Sequence, residues 1–418
     1  MKSMKFRLIV MNFLQFFIWG SWLCTLGTYM LGNVSEGGLG FQGPQVGAVF
    51  AMAGIASLIM PALMGVVADK WVNAERLMGS LHLVGSVALF WAAMSTEFEM
   101  FRMAIFLNML AYMPTLSLSY TVAYNALDKA GLDRVKDFPP IRVWGTVGFI
   151  AAMWIDNLTG FSHNSGQLYM AAVTALVMGV YCFTLPACYP AKAMKSKGLL
   201  SMLGLDALVL FKQYRTAVFL IFSFLLGAAL QVTNMYGVPF LDSFKATHPD
   251  AFAVKYSVII SSLSQVSETL FILAIPFFMK RYGIKNVMLI SMLAWVLRFG
   301  FFAIGEPEGI MVIFILLSMV VYGMAFDFFN VSGSLFIAEE SPESIKGSAQ
   351  GIFMMMTNGL GSIAGGYGAG WVIGHFTNEA GVTMWSNCWA IFAAYALVVA
   401  ILFAILFRYK HIPSTTQY

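Results

Sequence analysis

A chain of 418 residues that is 59% hydrophobic and only 11% charged, with a mean hydropathy of +0.78, is no ordinary soluble domain, where about a quarter of residues carry charge. The net charge of +4 is spread over short connections rather than gathered into a basic face, which argues against nucleic-acid binding. The composition predicts an all-α polytopic membrane protein, and charge then becomes a record of topology.

A bilayer core of about 30 Å takes roughly 20 apolar residues of helix. Runs of that kind occur at 7–31, 45–68, 77–95, 100–124, 141–160, 166–186, 216–240, 256–279, 286–304, 309–336, 347–374 and 384–407, giving twelve expected spans. The basic start before the first run resembles a signal peptide, but the apolar stretch behind it is too long and has no clear cleavage site. Of the 24 lysines and arginines, Arg102, Lys245 and Lys255 fall in loops on the far side, Arg142 and Arg298 fall inside spans, and the rest share the side of the N-terminus. The positive-inside rule then places both termini in the cytoplasm.

The long basic connection 187–215, with Lys192, Lys195 and Lys197, divides the spans six and six, and its stretch "LLSMLGLDALVLF" (199–211) reads as an amphipathic segment at the interface. The expected units are therefore 1–186, a linker at 187–215, and 216–418. Sliding the first span onto the seventh matches Gly20 with Gly227 and Tyr29 with Tyr236 at one offset, a weak sign of internal repetition. Twelve spans, a basic middle loop and cytoplasmic termini match the architecture of major facilitator transporters, two six-helix halves around a central cavity. "GVVADK" (65–70) resembles a reduced form of that superfamily's cytoplasmic latch loop. This makes Asp69 a gating candidate, although the same spacing also describes a capped helix end.

Charged side chains are costly in hydrocarbon and face a cavity or a partner. Glu268 lies near the middle of the eighth span and Asp327 just past the middle of the tenth. A carboxylate there either pairs with a base or takes up a proton, and a group that alternates between the two can couple transport to protons. Static ion pairing between helices is the alternative. Side chains three and four apart share a helix face. That spacing groups Arg142, Thr146 and Phe149 on the fifth span, Gln231 and Asn234 on the seventh, Gln265 with Glu268 on the eighth, and Tyr322, Phe326 and the adjoining Asp327 on the tenth. Amides and a carboxylate can hold vicinal hydroxyls and a C=O/N–H ring edge, and aromatic faces can stack on a flat heterocycle. A nucleoside offers all of these. Helix-bridging amides and an Arg142 that merely snorkels to the headgroups are the plainer readings. Arg298 reads as structural, His82 as a hydrogen-bonded helix contact, and Asp156, near the outer end of its span, as solvated and without a role. Cys24, Cys182, Cys188 and Cys388 have no metal-ligand spacing and read as reduced packing residues. No phosphate loop or metal-protease motif occurs, so no cofactor, metal or enzyme activity is expected.

The segments "FLQFFIWGSWLCTLGTYM", "FPPIRVWGTVGF", "LLGAALQVTNMYG", "SQVSETLFILAIPFFMKRYGIKNVM" and "VYGMAFDFFNVSGS" resemble the nucleoside:proton symporters of the major facilitator superfamily, over nearly the whole chain. The resemblance implies a multi-pass protein of the bacterial inner membrane, a monomer that imports nucleosides with protons by alternating access. It also implies substrate contacts at Arg142, Thr146, Phe149, Gln231, Asn234, Gln265, Glu268, Tyr322, Phe326 and Asp327. Glu268 and Asp327 are then the proton-coupling candidates, and Arg142 joins Asp69 as a gating candidate, paired with Asp327 when the cytoplasmic side is shut. The first outer loop, "GNVSEGGLGFQGPQ", is longer and richer in glycine than the family pattern. A sugar or other small polar metabolite:proton symporter and a binding protein without flux are the competing expectations.

Overall fold

The computed structural model describes residues 2–190, 205–342 and 345–409. These residues are helical apart from short turns and one isolated bridge, Thr377 to Thr383. Among the described residues, eight helices are long and apolar enough to cross a membrane, and a ninth, Gly166–Cys182, is apolar but shorter. In lipid a chain must satisfy every backbone group internally, which helices do. In chain order the helices are α1 (Lys2–Gly20), α2 (Leu26–Leu31), α3 (Gly43–Lys70), α4 (Ala74–Met94), α5 (Phe98–Lys129), α6 (Arg134–Thr159) and α7 (Gly166–Cys182). Beyond residue 205 come α8 (Tyr214–Ser243), α9 (Ser257–Ile304), α10 (Val312–Glu340), α11 (Lys346–Met354), a π-helical stretch (Met355–Gly361), α12 (Ser362–His375) and α13 (Trp385–Leu406).

Two of the expected spans are interrupted. The first apolar run breaks between α1 and α2, where 3₁₀-type bonds such as Trp22 N to Trp19 O and Thr25 N to Trp22 O replace α-helical ones and the Ser21 hydroxyl bonds back to Phe17 O at 2.7 Å. The eighth and ninth runs, both within the α9 range, are two helical segments that meet at a kink, where Gly283 adopts the non-helical φ 74° and ψ 168°, a positive-φ backbone that glycine alone takes up cheaply. The eleventh run carries the π-helical insertion. Of the expected interfacial segment, Leu205–Lys212 is a 3₁₀ helix, while 199–204 and the lysines at 192, 195 and 197 lie outside the described residues.

The structure divides into two units, one holding the described residues up to 190 with Asn234–Pro239, the other 205–233 with the rest of the chain from Phe240. Within the first, glycines set the helix crossings. A Cβ on Gly20 would sit 2.4 Å from Phe149 O, and one on Gly148 would sit 2.3 Å from Phe13 O, so α1 and α6 touch backbone to backbone. Gly79 and Gly179 bring α4 and α7 together in the same way. Such small-residue contacts replace the hydrophobic effect, which cannot drive association among lipid-solvated helices. At the basic end, Lys5 pairs with Asp137 at 2.7 Å, fixing the start of α1 on α6.

The second unit repeats the device. A Cβ on Gly227 would lie 2.1 Å from Thr357 O, and Gly361 and Gly365 press in turn on Gly227 and Ala228, so α8 is seated directly on the π stretch and α12. Gly323 of α10 rests on the backbone of Ser267 and Glu268 in α9, 2.6 Å from Ser267 O. The pair Gly20 and Gly227, matched in sequence, thus occupy comparable close crossings, each in its own unit.

Candidate functional site

In the first unit, the Gly145 and Gly148 face of α6 admits α1 so closely that the Arg142 guanidinium stands 3.9 Å above the centre of the Phe16 ring. Its Nε donates to Tyr120 OH at 3.2 Å. A cation held over an aromatic face and by a phenol keeps its charge while shedding part of its water. Phe149, two turns on, is buried, its backbone locked against Gly20; Thr146 between them is half-buried. Asn234, also half-buried, belongs to this unit. Asp69 is exposed at the end of α3.

A buried polar cluster lies behind Arg142. Gln15 donates from Nε2 to Thr115 Oγ1 at 2.8 Å, its Oε1 meets His82 Nε2 at 2.8 Å, and Tyr112 OH donates to the Gln15 carbonyl at 2.7 Å. The expectation for His82 as a helix contact fits this geometry. Gln15, Tyr112, Thr115 and Tyr120 are not legible as a group in the sequence: Tyr112 and Thr115 stand three residues apart, the Thr115 hydroxyl donating to Tyr112 O at 2.6 Å, but the contacts that gather them about Gln15 and Arg142 span 22 to 100 residues.

Asp156 requires a correction. It is not solvated: it is fully buried, as are Thr25 and Gln167 around it. The Thr25 hydroxyl lies 3.0 Å from Asp156 Oδ2 and 2.9 Å from Gln167 Oε1, while Gln167 Nε2 donates to the carbonyls of Phe161, Ser162 and Asn164. Asp156 Oδ1 has no hydrogen-bond partner among the described residues. Thr25 lies in the break between α1 and α2. One hydroxyl hydrogen faces two acceptors here. An amide at position 156 can donate to Thr25 and release its hydroxyl to Gln167, so Asp156→Asn is expected to leave stability nearly unchanged. Asp156→Ala leaves the Thr25 hydroxyl its bond to Gln167 Oε1 but empties the buried volume of the carboxyl, and the cavity lowers stability; thermal unfolding in detergent distinguishes the two variants.

The second unit holds the remaining candidates. The Gly323 crossing carries Ser267 Oγ onto Val320 O and sets Glu268, half-buried, beside α10. Asp327, one turn beyond Gly323 and 4% exposed, has Glu268 as its electrostatic neighbour, and its Oδ2 has no hydrogen-bond partner among the described residues. Tyr322 and Phe326 lie stacked, 6.2 Å apart and 11° from parallel, with Trp295 edge-on to Tyr322 at 6.0 Å. Gln231 is buried on α8 and Gln265 half-buried on α9.

Arg298 belongs to this group, which its apolar sequence neighbours concealed. Its guanidinium lies 4.6 Å over the Tyr322 ring, donating from Nε to Thr233 Oγ1 at 3.2 Å and from the same terminal nitrogen to Ser318 O at 2.7 Å and Ser264 Oγ at 3.3 Å. One buried cation ties α8, both segments of α9 and α10 together, and its guanidinium lies over Tyr322.

The profile of a family described as nucleoside H+ symporter matches residues 1–412. The chain belongs to the nucleoside H+ symporter family. Among this family's relatives, Nucleoside permease NupG of Escherichia coli (strain K12) is 49% identical, with 99% of each chain covered. Xanthosine permease of the same organism is 50% identical over 100% of this chain and 99% of its own. The crystal structure of nucleoside transporter NupG superposes with a TM-score of 0.91 at 49% identity, covering 97% of this chain and 100% of that one. A peptide transporter of the POT family in complex with sulfate superposes with a TM-score of 0.75 at 16% identity, over 96% and 94%, a likeness of fold alone. Members of the nucleoside H+ symporter family are transporters rather than enzymes, and this chain is a multi-pass membrane protein.

Proposed function

We propose that this protein imports nucleosides across the bacterial cytoplasmic membrane in symport with protons, as a monomer with both termini in the cytoplasm. Twelve crossings in two halves, 1–186 and 216–418 joined by 187–215, carry out alternating access. Glu268 and Asp327 carry the coupled protons. Gln265 and Glu268 grip the ribose hydroxyls, Gln231 and Asn234 contact the nucleoside from α8, and Phe149 and Phe326 flank the base. Arg142, Thr146 and Tyr322 complete the contacts, and Arg142 with Asp69 controls the cytoplasmic gate.

One observation carries the reading. Two carboxylates set in apolar helices are neighbours at a glycine crossing, inside a chain whose family moves nucleosides with protons. A carboxylate shielded from water is charged only at a cost, so a pair of them is a natural place for protons to enter and leave. The names of the two 49–50% identical permeases support a nucleoside over a sugar.

The test is uptake of labelled uridine and adenosine by cells or proteoliposomes. Because protons move inward with substrate, acidifying the outside accelerates uptake and raising the outside pH slows it. A protonophore abolishes accumulation. Uptake that ignores the protonophore, or that lactose competes for and nucleosides do not, overturns the assignment.

A further inference from the structure

In the first unit the buried polar cluster and Arg142 meet on either side of Phe16. Gln15 is fully buried, which is costly for an amide unless its hydrogen bonds are made. They are made by His82 and Thr115, and the Gln15 carbonyl accepts from the Tyr112 hydroxyl at 2.7 Å. The peptide that joins Gln15 to Phe16 is thereby pinned to α5. On the other side Gly145 leaves the space that Phe16 and Arg142 share. A Cβ there would lie 2.6 Å from Phe16 Cδ2 and 2.8 Å from Arg142 Nη1, so any larger residue would crowd the ring, the guanidinium or both.

The direction of the Arg142 side chain is the second observation. Arg142 is nearer the start of α6 than its end, and a snorkelling cation reaches for the near end. Its Nη1 instead lies beside Gly145, three residues further along the helix. The Nε is taken by Tyr120 OH at 3.2 Å, and the Phe16 ring lies 3.9 Å from the guanidinium carbon. The terminal N–H groups of this half-buried arginine have no hydrogen-bond partner among the described residues, and none of the ion pairs there includes it. A guanidinium offers five donors in a rigid fork, so one edge is anchored and the rest is left to present. A cation kept in this way inside a membrane protein marks a substrate path.

We infer that Phe16 and Tyr120 are positioning residues for substrate recognition, holding the Arg142 guanidinium so that its terminal N–H groups meet an oxygen of the nucleoside. The inference rests on the reading above that the protein carries nucleosides and that Arg142 contacts them. Phe16 and Tyr120 act through Arg142. The ring attracts the cation from one side, most strongly where water is scarce, and the Tyr120 oxygen sets the plane of the fork. An arginine already ordered loses less freedom when substrate arrives, so both residues contribute to affinity rather than to turnover.

The experiment measures KM and Vmax for labelled uridine in proteoliposomes. The proteins are the unsubstituted chain, Phe16→Leu, Tyr120→Phe, Arg142→Gln, the double variant Phe16→Leu with Arg142→Gln, and chains with mono-, di- or trifluorophenylalanine in place of Phe16. Fluorine draws electron density from the ring face and hardly changes its size, so it weakens the attraction for a cation and leaves packing alone. The expected result is a KM raised about tenfold in Phe16→Leu with Vmax retained, a stepwise rise along the fluorinated series, and a smaller rise in Tyr120→Phe. In the Arg142→Gln background Phe16→Leu adds nothing, because the group it acts through is gone. A KM indifferent to fluorination, or a Phe16→Leu effect of the same factor with and without Arg142, overturns the inference. An Arg142→Gln protein with unchanged KM overturns it as well. If Phe16→Leu does not reach the membrane, or the Arg142→Gln proteins bind too weakly for KM to be measured, the fluorinated series decides alone. Failure of uridine uptake by the unsubstituted protein overturns the transport reading instead.

Discussion

Asp327→Asn is expected to bring the steady-state ratio of internal to external nucleoside to about 1 while leaving exchange of labelled for unlabelled substrate intact. One proton entering through about 100 mV delivers about 2.3 kcal/mol, enough for a gradient of about fiftyfold. An uncharged nucleoside moved without a proton has no such source and can only equilibrate. The amide keeps the shape of the carboxyl and removes the titration. Asp327 is the sharper choice of the two acids, because it is the more buried and one of its oxygens has no hydrogen-bond partner among the described residues. Glu268→Gln is expected to lose accumulation too and to raise KM, since Glu268 is also assigned to the ribose. Accumulation ratios measured in proteoliposomes under an imposed pH gradient decide the matter. If both variants still concentrate uridine, the protons travel elsewhere.

Gly227→Val is expected to prevent the second unit from assembling. The added carbons have no side chain to displace: the first would meet Thr357 O at 2.1 Å, Thr357 C at 2.8 Å and Thr357 Cα at 2.8 Å, all backbone. Overpacking against movable side chains costs about 1–3 kcal/mol, and here two helices must part along their length. Gly227→Ala is expected to lower the melting temperature in detergent, and Gly227→Val to abolish the monodisperse peak in size-exclusion chromatography. Gly300→Ala is the control. No atom lies within 4 Å of its added carbon, and replacing a helical glycine by alanine gains up to about 1 kcal/mol. A folded Gly227→Val protein as heat-stable as the Gly300→Ala protein would refute the crossing as a determinant of stability.

What the sequence displayed was whatever contrasts with lipid. Glu268, Asp327 and Arg142 stand out because an ionised group in an apolar run is rare and expensive, and spacing then gathered their neighbours on the same helix. Partners on other helices leave no such trace. Asp156 looked solvated because its position near a span end says nothing of Thr25 and Gln167, 131 residues upstream of it and 142 downstream of Thr25 respectively. Arg298 looked isolated among "WVLRFGFF", yet Thr233, Ser264 and Ser318 reach it from three directions. Helix interruptions divide in the same way. The turn at 21–25 occurs in a stretch whose hydropathy alone is that of continuous helix, whereas the kink at Gly283 falls in the charged stretch 280–285 that already separated the eighth run from the ninth.

The seven-residue π stretch, Met355–Gly361, has a consequence for engineering. Each residue of an ordinary α-helix advances the side chain by about 100°, so a wide turn that absorbs one extra residue swings everything after it by that angle relative to an unbroken rod. Deleting a single residue there would re-wind the turn as ordinary α-helix while leaving Gly361 and Gly365 facing α8, so the change would be confined to the side chains within the turn. Homologous chains one residue shorter in this short window would then keep the same glycine crossing beyond it, with the difference confined to the turn.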